Sequence, residues 1–164
     1  MNNISKAYYN SPIGIIEIKG TEEGILSILF EEEIENNEGT VYVSEVVKDC
    51  LKQLDEYFTG RRKEFNVNYI FEGTDFQKKV WNALTSIPFG RTATYKDIAE
   101  AVGSPKAVRA VGSTNSKNLV SIIVPCHRVI GTNGKLTGYA GGLWRKEWLL
   151  NHEKKYSSSN EDNL

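Results

Sequence analysis

The spacing of apolar residues changes once along this chain, from short apolar runs to helical periodicity. In the first part, "AYYNSPIGIIEIKG" (residues 7–20) and "GILSILFEE" (residues 24–32) are rich in Ile, Tyr and Phe. Ser-Pro and Gly interrupt them, which predicts antiparallel strands. Val43, Val46, Val47, Cys50, Leu51, Leu54, Tyr57 and Phe58 then recur at helical spacing, with Gly60 as a stop. Cys50 falls on that apolar stripe and reads as a core thiol, since a free cysteine packs as a small hydrophobe. "RRKEFNVNYIFEG" (residues 61–73) reads as an extended stretch and a linker.

After the linker the pattern is helical. Thr74 and Gln77 have the spacing of a capping box and open a helix through Phe76, Val80, Trp81 and Leu84 that ends near Pro88. Thr94 and Asp97 repeat the signal for a second helix, with Ile98, Ala99 and Val102 inward and Gly103 as its stop. Ser104 and Pro105 suit the N-cap and first position of a third. Two short helices joined by a Gly-containing turn make a helix-turn-helix candidate. The second is slim, with Ala107, Ala110, Gly112 and Ser113 around one long cation, Arg109. A Gly-rich loop "GTNGKLTGYAGG" follows, with Asn133-Gly134 as a tight turn, then a final helix "LWRKEWLLNHEKK". Trp81, Trp144 and Trp148 read as core, and His152 as a surface or capping histidine. The polar tail, residues 156–164, reads as disordered.

Charge sharpens the division into two parts. Residues 1–73 hold 7 Lys+Arg against 14 Asp+Glu, and residues 74–155 hold 13 against 5. A basic half of this kind meets an anion, of which nucleic acid is the commonest. Lys78, Lys79, Lys106 and Lys117 stay unassigned between phosphate contacts and a solvated face. No apolar run has membrane-spanning length, and the N-terminus lacks the layout of a secretory signal. Two distant cysteines make no disulfide framework and fit a reducing, cytoplasmic setting with free thiols. With 2 cysteines and 2 histidines in 164 residues, no structural metal site is expected.

"IIVPCHRVIG" (residues 122–131) sets Cys126 beside His127, behind Pro125 and before Arg128. A reactive cysteine needs a base or positive charge to reach its thiolate. In a regular strand consecutive side chains face opposite ways, so a direct pair with His127 requires an irregular backbone or a bridging water. Pro125 makes the irregularity plausible. Glu153, near the end of the final helix, is a candidate orienting acceptor, where a carboxylate opposes the helix dipole and wants a partner. Arg128 fits an ion pair as well as a DNA contact. A thiol hydrolase, a redox sensor and an alkyl acceptor all remain open. The redox sensor lacks a resolving cysteine, and the hydrolase leaves the basic half and helix pair unexplained.

"IIVPCHRVIG", together with "FQKKVWNALTSIPFGRTATYKDIA", "SPKAVRAVGSTNSKN", "LTGYAGGLWRKEWLLNHE" and "YNSPIGIIEIKG", closely resembles the O6-alkylguanine-DNA alkyltransferases over nearly the whole chain. The resemblance implies an α+β protein. Its N-terminal domain (residues 1–70) would be a small ribonuclease-H-like α/β unit. Residues 74–155 would form a mainly helical, winged-helix-like domain with the helix-turn-helix. The implied activity is irreversible, single-turnover transfer of an alkyl group from O6-alkylguanine, and from O4-alkylthymine, to Cys126 after base flipping, with no cofactor. By the same resemblance His127 and Glu153 draw off the thiol proton through a water, and Asn118 braces that network. Tyr95 helps rotate the nucleotide and donates toward guanine N3, and Arg109 fills the gap in the duplex. Tyr139, Ala140 and the Val129 carbonyl line the guanine pocket. The implied partner is double-stranded DNA, entered through the minor groove by a monomer. The zinc site and fused regulatory domain of some relatives are not expected here, and Ala140 in place of serine leaves the tolerated alkyl size open. A rival reading from another class is a non-enzymatic sensor of alkylated DNA that recruits repair factors. Such alkyltransferase-like proteins lack the acceptor cysteine, which this chain has.

Overall fold

The structure is a computed structural model that describes residues 3–34 and 43–161, with side chains as far as 157. Packing divides it into two compact units, Met1–Phe71 and Glu72–Leu164.

In the first unit β1 (Ser5–Ser11), β2 (Gly14–Gly20) and β3 (Ile25–Glu31) form an antiparallel sheet in the order β1-β2-β3. Ser11 sets the β1–β2 turn, its hydroxyl donating to the Gly14 carbonyl (2.6 Å) and accepting the Ile13 N–H (3.1 Å). The Ile16 and Ile18 side chains are fully buried, as are Ile25 and Ile28 on β3. Helix α1 (Glu45–Phe58) is capped by the Ser44 side chain and packs on all three strands through Val47, Cys50, Leu54 and Tyr57. Gly20 permits that approach, since a Cβ there would sit 3.0 Å from the Val47 side chain. Burial, and then the Asp49 charge, push the Cys50 thiol up to about 12, so it stays neutral. The extended stretch after α1 touches the sheet by one bridge, Ile25 to Tyr69.

The second unit is built from α2 (Asp75–Leu84), α3 (Tyr95–Ala101), α4 (Val108–Ser116) and α5 (Leu143–Glu161). Two short strands, β4 (Ala93–Thr94) and β5 (Val129–Ile130), pair in parallel. The capping boxes expected at Thr74–Gln77 and Thr94–Asp97 both form. Helices α2, α3 and α4 pack on one another around Val80, Trp81, Leu84, Ile98, Ala99 and Val111. The Trp81 indole donates to the Thr114 carbonyl at 3.0 Å.

Four local expectations differ from the structure. Helix α4 begins at Val108, with no side-chain cap, rather than at Pro105. The Ala107 N–H instead closes a turn on the Ser104 carbonyl (2.8 Å), and Pro105 takes the second turn position its fixed φ also suits. Trp144 is 57% exposed, because it stands in the first turn of α5 with the Arg145 guanidinium over its ring at 4.6 Å. His152 is buried rather than superficial, stacked on Trp148 (4.9 Å) and edge-on to Tyr156 (4.8 Å). Helix α5 runs on through Tyr156 to Glu161, where composition predicts disorder. Residues 162–164 of the expected tail lie outside the described residues.

Thr74 supports α2 far from the reactive thiol in sequence, so Thr74→Ala tests the local energetics alone. The substitution is expected to lower unfolding free energy by about 1 kcal/mol, read from urea denaturation.

Candidate active site

Between α4 and β5 the backbone is organised by one side chain. Asn118 Oδ1 accepts the Val120 N–H (2.9 Å), and its Nδ2 donates to the carbonyls of Val120 (3.3 Å) and Val124 (2.9 Å). Tight turns follow. The Ile123 N–H reaches the Ser121 carbonyl (2.8 Å), that of Val124 reaches Val120 (3.0 Å), and that of Cys126 reaches Val124 (2.8 Å). Buried Ile122 is carried to φ 72°, a left-handed conformation rare for a β-branched residue. Pro125, at φ −83° and ψ 64°, delivers the chain into a single 3-10 turn, Cys126–Arg128. The irregular backbone expected at this proline is present, and it turns three consecutive side chains inward. Cys126, His127 and Arg128 are all buried.

Glu153, on α5, receives the last two. His127 Nε2 lies 2.6 Å from Oε2. Arg128 donates from Nε to Oε1 (2.7 Å) and from Nη2 to Oε2 (3.1 Å), and the Gly90 N–H adds a bond to Oε1 (3.2 Å). The remaining Arg128 nitrogen donates to the Ile87 carbonyl (2.7 Å), and Phe89 lies beneath the guanidinium at 5.8 Å. Gly90 sits at φ 79°, and a Cβ there would collide with the Ser157 hydroxyl. Arg128 is thus an ion-pair partner in the interior. Glu153 stands mid-helix rather than near a helix end, so burial and not the helix dipole is what obliges it to have partners.

The protonation states follow from this geometry. Burial pushes the Glu153 carboxyl up, but His127 and Arg128 together outweigh it and hold it well below the usual range. For His127 burial wins over the attraction of Glu153, so its pKa falls and the imidazole is neutral at pH 7. With a carboxylate opposite, Nε2 must carry the ring proton, which leaves a bare lone pair on Nδ1. That Nδ1 is buried and has no hydrogen-bond partner within the protein. Burial raises the Cys126 pKa, with Asn118 and then Lys146 opposing, so the resting group is a thiol. A neutral thiol and a neutral base with a free lone pair, both buried, are a proton donor and acceptor waiting for a path between them.

Cys126, His127, Glu153 and Asn118 therefore come together. Tyr139 joins them: its phenol is buried, with Ser121 beside it and no well-formed hydrogen bond. Burial and then the Cys126 charge push the Tyr139 pKa well above its ordinary value. Tyr95, half-buried at the start of α3, bonds to Thr137 in the Gly-rich loop. Val129 is buried in β5, and Ala140 is exposed. Arg109 stands exposed in the first turn of α4, beside exposed Ala110 and Ser113, outside the buried cluster. Lys78, Lys79, Lys106 and Lys117 are all exposed. Sequence reasoning missed Lys146, which is fully buried with Nζ 2.7 Å from the Thr137 carbonyl. Its helical phase with Leu149 and Glu153 was the available signal.

The family model described as "6-O-methylguanine DNA methyltransferase, DNA binding domain" matches residues 75–155, and that family's "ribonuclease-like domain" matches residues 4–69. The chain belongs to this family. A methylated-DNA–protein-cysteine methyltransferase of Methanosarcina acetivorans is 51% identical over 150 residues, covering 90% of this chain and 96% of that one. One from Mycobacterium tuberculosis is 44% identical over 147 residues, covering 88% and 89%. The crystal structure of an O6-methylguanine methyltransferase from M. tuberculosis superposes with a TM-score of 0.83 at 41% identity, covering 94% of each chain. The M. tuberculosis OGT in complex with DNA gives 0.82 at 43% identity, covering 91% of this chain and 92% of that one. The family's DNA-binding domain thus coincides with the unit that holds the Cys126 cluster.

Removing the charge from Glu153 would leave Arg128 buried and uncompensated. Glu153→Gln is expected to lower stability at pH 7 by about 3–5 kcal/mol. An acid held below its unfolded value stabilises the fold above that value, about 4.3 for glutamate, and the contribution drains away as pH falls toward the folded one. Urea unfolding at pH 7 and pH 3 should therefore show the gap between the variant and the unsubstituted protein narrowing in acid.

Proposed function

We propose that this protein repairs alkylated DNA by transferring the alkyl group from O6 of guanine, and from O4 of thymine, to Cys126. The observation that carries this reading is the buried neutral thiol beside a histidine whose bare Nδ1 faces no protein partner, inside the unit matched as a DNA-binding domain. Names and structures of relatives support it, because they act on methylated DNA and one is bound to DNA.

In the reaction a water between Cys126 and His127 carries the thiol proton to Nδ1, and Glu153 stabilises the imidazolium that forms. The thiolate attacks the alkyl carbon; an S–C bond forms as the C–O6 bond breaks, and the electron pair leaves with guanine. Tyr95 donates toward N3 of the departing anion. The product is a thioether that thiol exchange does not reverse, so one molecule acts once and needs no cofactor. Guanine O6 lies inside the duplex, so the nucleotide must be flipped, which costs a few kcal/mol. Arg109, long and exposed among small neighbours, suits the gap that flipping leaves. The slim outer face of α4 suits the narrow minor groove, with little demand on sequence. Tyr139, Ala140 and the Val129 carbonyl would line the base pocket, and residues 74–155 would carry both binding and chemistry. The protein would act as a monomer, and an acceptor that must remain a free thiol suits the reducing cytoplasm.

Mass spectrometry after incubation with an oligonucleotide containing O6-methylguanine decides the matter. One added methyl on the peptide containing Cys126 is expected; unmodified protein still bound to the DNA would sink transfer and leave a sensor. Cys126→Ala should keep DNA binding and lose transfer entirely. Because His127 must be neutral to accept the proton, the transfer rate should hold through neutral pH and fall in acid. Arg109→Ala should slow repair of duplex DNA by about tenfold or more, equivalent to ~1.4 kcal/mol of barrier.

A further inference from the structure

Tyr95 meets Thr137 twice, once through the backbone of that residue and once through its side chain. The phenol donates to the Thr137 carbonyl at 3.2 Å, and Thr137 Oγ1 donates to the phenol oxygen at 3.0 Å. The carbonyl has a second donor in Lys146 Nζ, at 2.7 Å. Thr137 belongs to the Gly-rich loop between β5 and α5, and α5 pins that loop at two points. One is the Lys146 bond; the other runs from Arg145 Nη1 to the Gly141 carbonyl, at 3.0 Å. Tyr95 is fixed from the other side, as the first residue of α3 behind the Thr94–Asp97 capping box. The pair therefore joins two anchored stretches of one unit. Thr137 is exposed and Tyr95 half-buried, so a base can reach the phenol without opening the core.

The two bonds have different fates when a base arrives. A phenol has one proton to donate. To give it toward guanine N3, Tyr95 must withdraw it from the Thr137 carbonyl, which keeps its bond from Lys146 and is not left unpaired. The bond from Oγ1 uses a lone pair of the phenol oxygen and need not break. As the C–O6 bond opens, guanine gains negative charge and pulls harder on the Tyr95 proton, which pushes charge onto the phenol oxygen. A donor already seated on that oxygen offsets the charge, because linked hydrogen bonds strengthen one another. We propose that Thr137 is a positioning residue for alkyl transfer: its carbonyl holds the Tyr95 proton in the free protein, and its hydroxyl aims and supports Tyr95 once that proton turns to the base. The inference rests on the alkyl-transfer reading and on the place of Tyr95 in it.

The test is single-turnover methyl transfer by the full chain from two duplex oligonucleotides. One carries O6-methylguanine; the other carries its 3-deaza analogue, in which C–H replaces N3 and Tyr95 has nothing to donate to. Thr137→Val keeps the shape and removes the hydroxyl. It should lower the maximal rate on O6-methylguanine about fivefold, the worth of one hydrogen bond, and leave the half-saturating protein concentration unchanged. Thr137→Ser, which keeps the hydroxyl, should return the rate to within about twofold. On the 3-deaza DNA, and in the Tyr95→Phe background, Thr137→Val should change the rate by less than about twofold, since the bond it removes then supports nothing. Circular dichroism establishes that each variant is folded, and Thr137→Ala repeats the deletion without the second methyl of valine. An equal loss on both DNAs, or an undiminished loss beside Tyr95→Phe, makes Thr137 a shaper of the loop alone and overturns the proposal. So does an unchanged rate on O6-methylguanine. Equal rates of the unsubstituted protein on the two DNAs would remove Tyr95 from N3, and Thr137 with it. Failure of that protein to take a methyl group from O6-methylguanine would instead overturn the transfer reading.

Discussion

Glu153 holds a full negative charge where almost no water reaches it, and the second unit is arranged around making that tolerable. A carboxylate in such a place would ordinarily take up a proton. Here a bidentate guanidinium, an imidazole and a backbone N–H surround it. The first two come from the 3-10 turn and the third from the segment before β4, so the charge ties α5 to both. The same constraint selects the tautomer of His127, because the nitrogen that faces the carboxylate must carry the proton. The free lone pair on the other nitrogen is therefore a consequence of the ion pair. Arg128, which touches no reacting atom in this scheme, is what lets Glu153 stay charged while His127 stays neutral.

The approach to the thiol obeys a different constraint, that of backbone shape. Three consecutive inward side chains cannot come from a strand, and a 3-10 turn supplies them only if the chain enters it at the correct angle. Asn118 provides that angle by acting as a surrogate backbone, accepting one N–H and feeding two carbonyls within a few residues. The left-handed Ile122 between them is a conformation of roughly 1–3 kcal/mol strain, sustained by the surrounding bonds and by burial of its side chain. Asn118 thus braces the loop itself, and the proposed proton path would benefit from the loop being held.

Much of this arrangement was legible in the residues. Capping boxes at Thr74 and Thr94 mark their helices because the hydrogen-bonding groups are local, and the Pro-Cys-His-Arg run announces an irregular turn bearing a thiol. What escaped were features settled by tertiary contacts. Ser104-Pro105 fits a helix start and a β-turn equally, and only the partner of the Ala107 N–H distinguishes them. Arg128 reads as ion pair or ligand until the position of Glu153 is known. Lys146 stands within "WRKEW", which looks like a solvated charge run; only its phase with Leu149 and Glu153 places it inside. Trp144, two residues earlier, is aromatic yet faces out, because residue type says less than position on the helix. The stacking of Tyr156 on His152 near the end of α5 is likewise a contact that composition does not express.

The acceptor's own burial has a temporal meaning. A reagent that is consumed by its first reaction is useful only for as long as it has not reacted with something else. Cys126 is 4% exposed, and burial keeps it a thiol rather than a thiolate. Oxidants and stray electrophiles attack the thiolate, and they attack it where they can reach it. In the proposed mechanism the group is dormant by default and becomes a nucleophile only when His127, sealed in the same interior, takes its proton. Shelf life and readiness, which conflict in an exposed reactive cysteine, are separated here by where the proton is allowed to go.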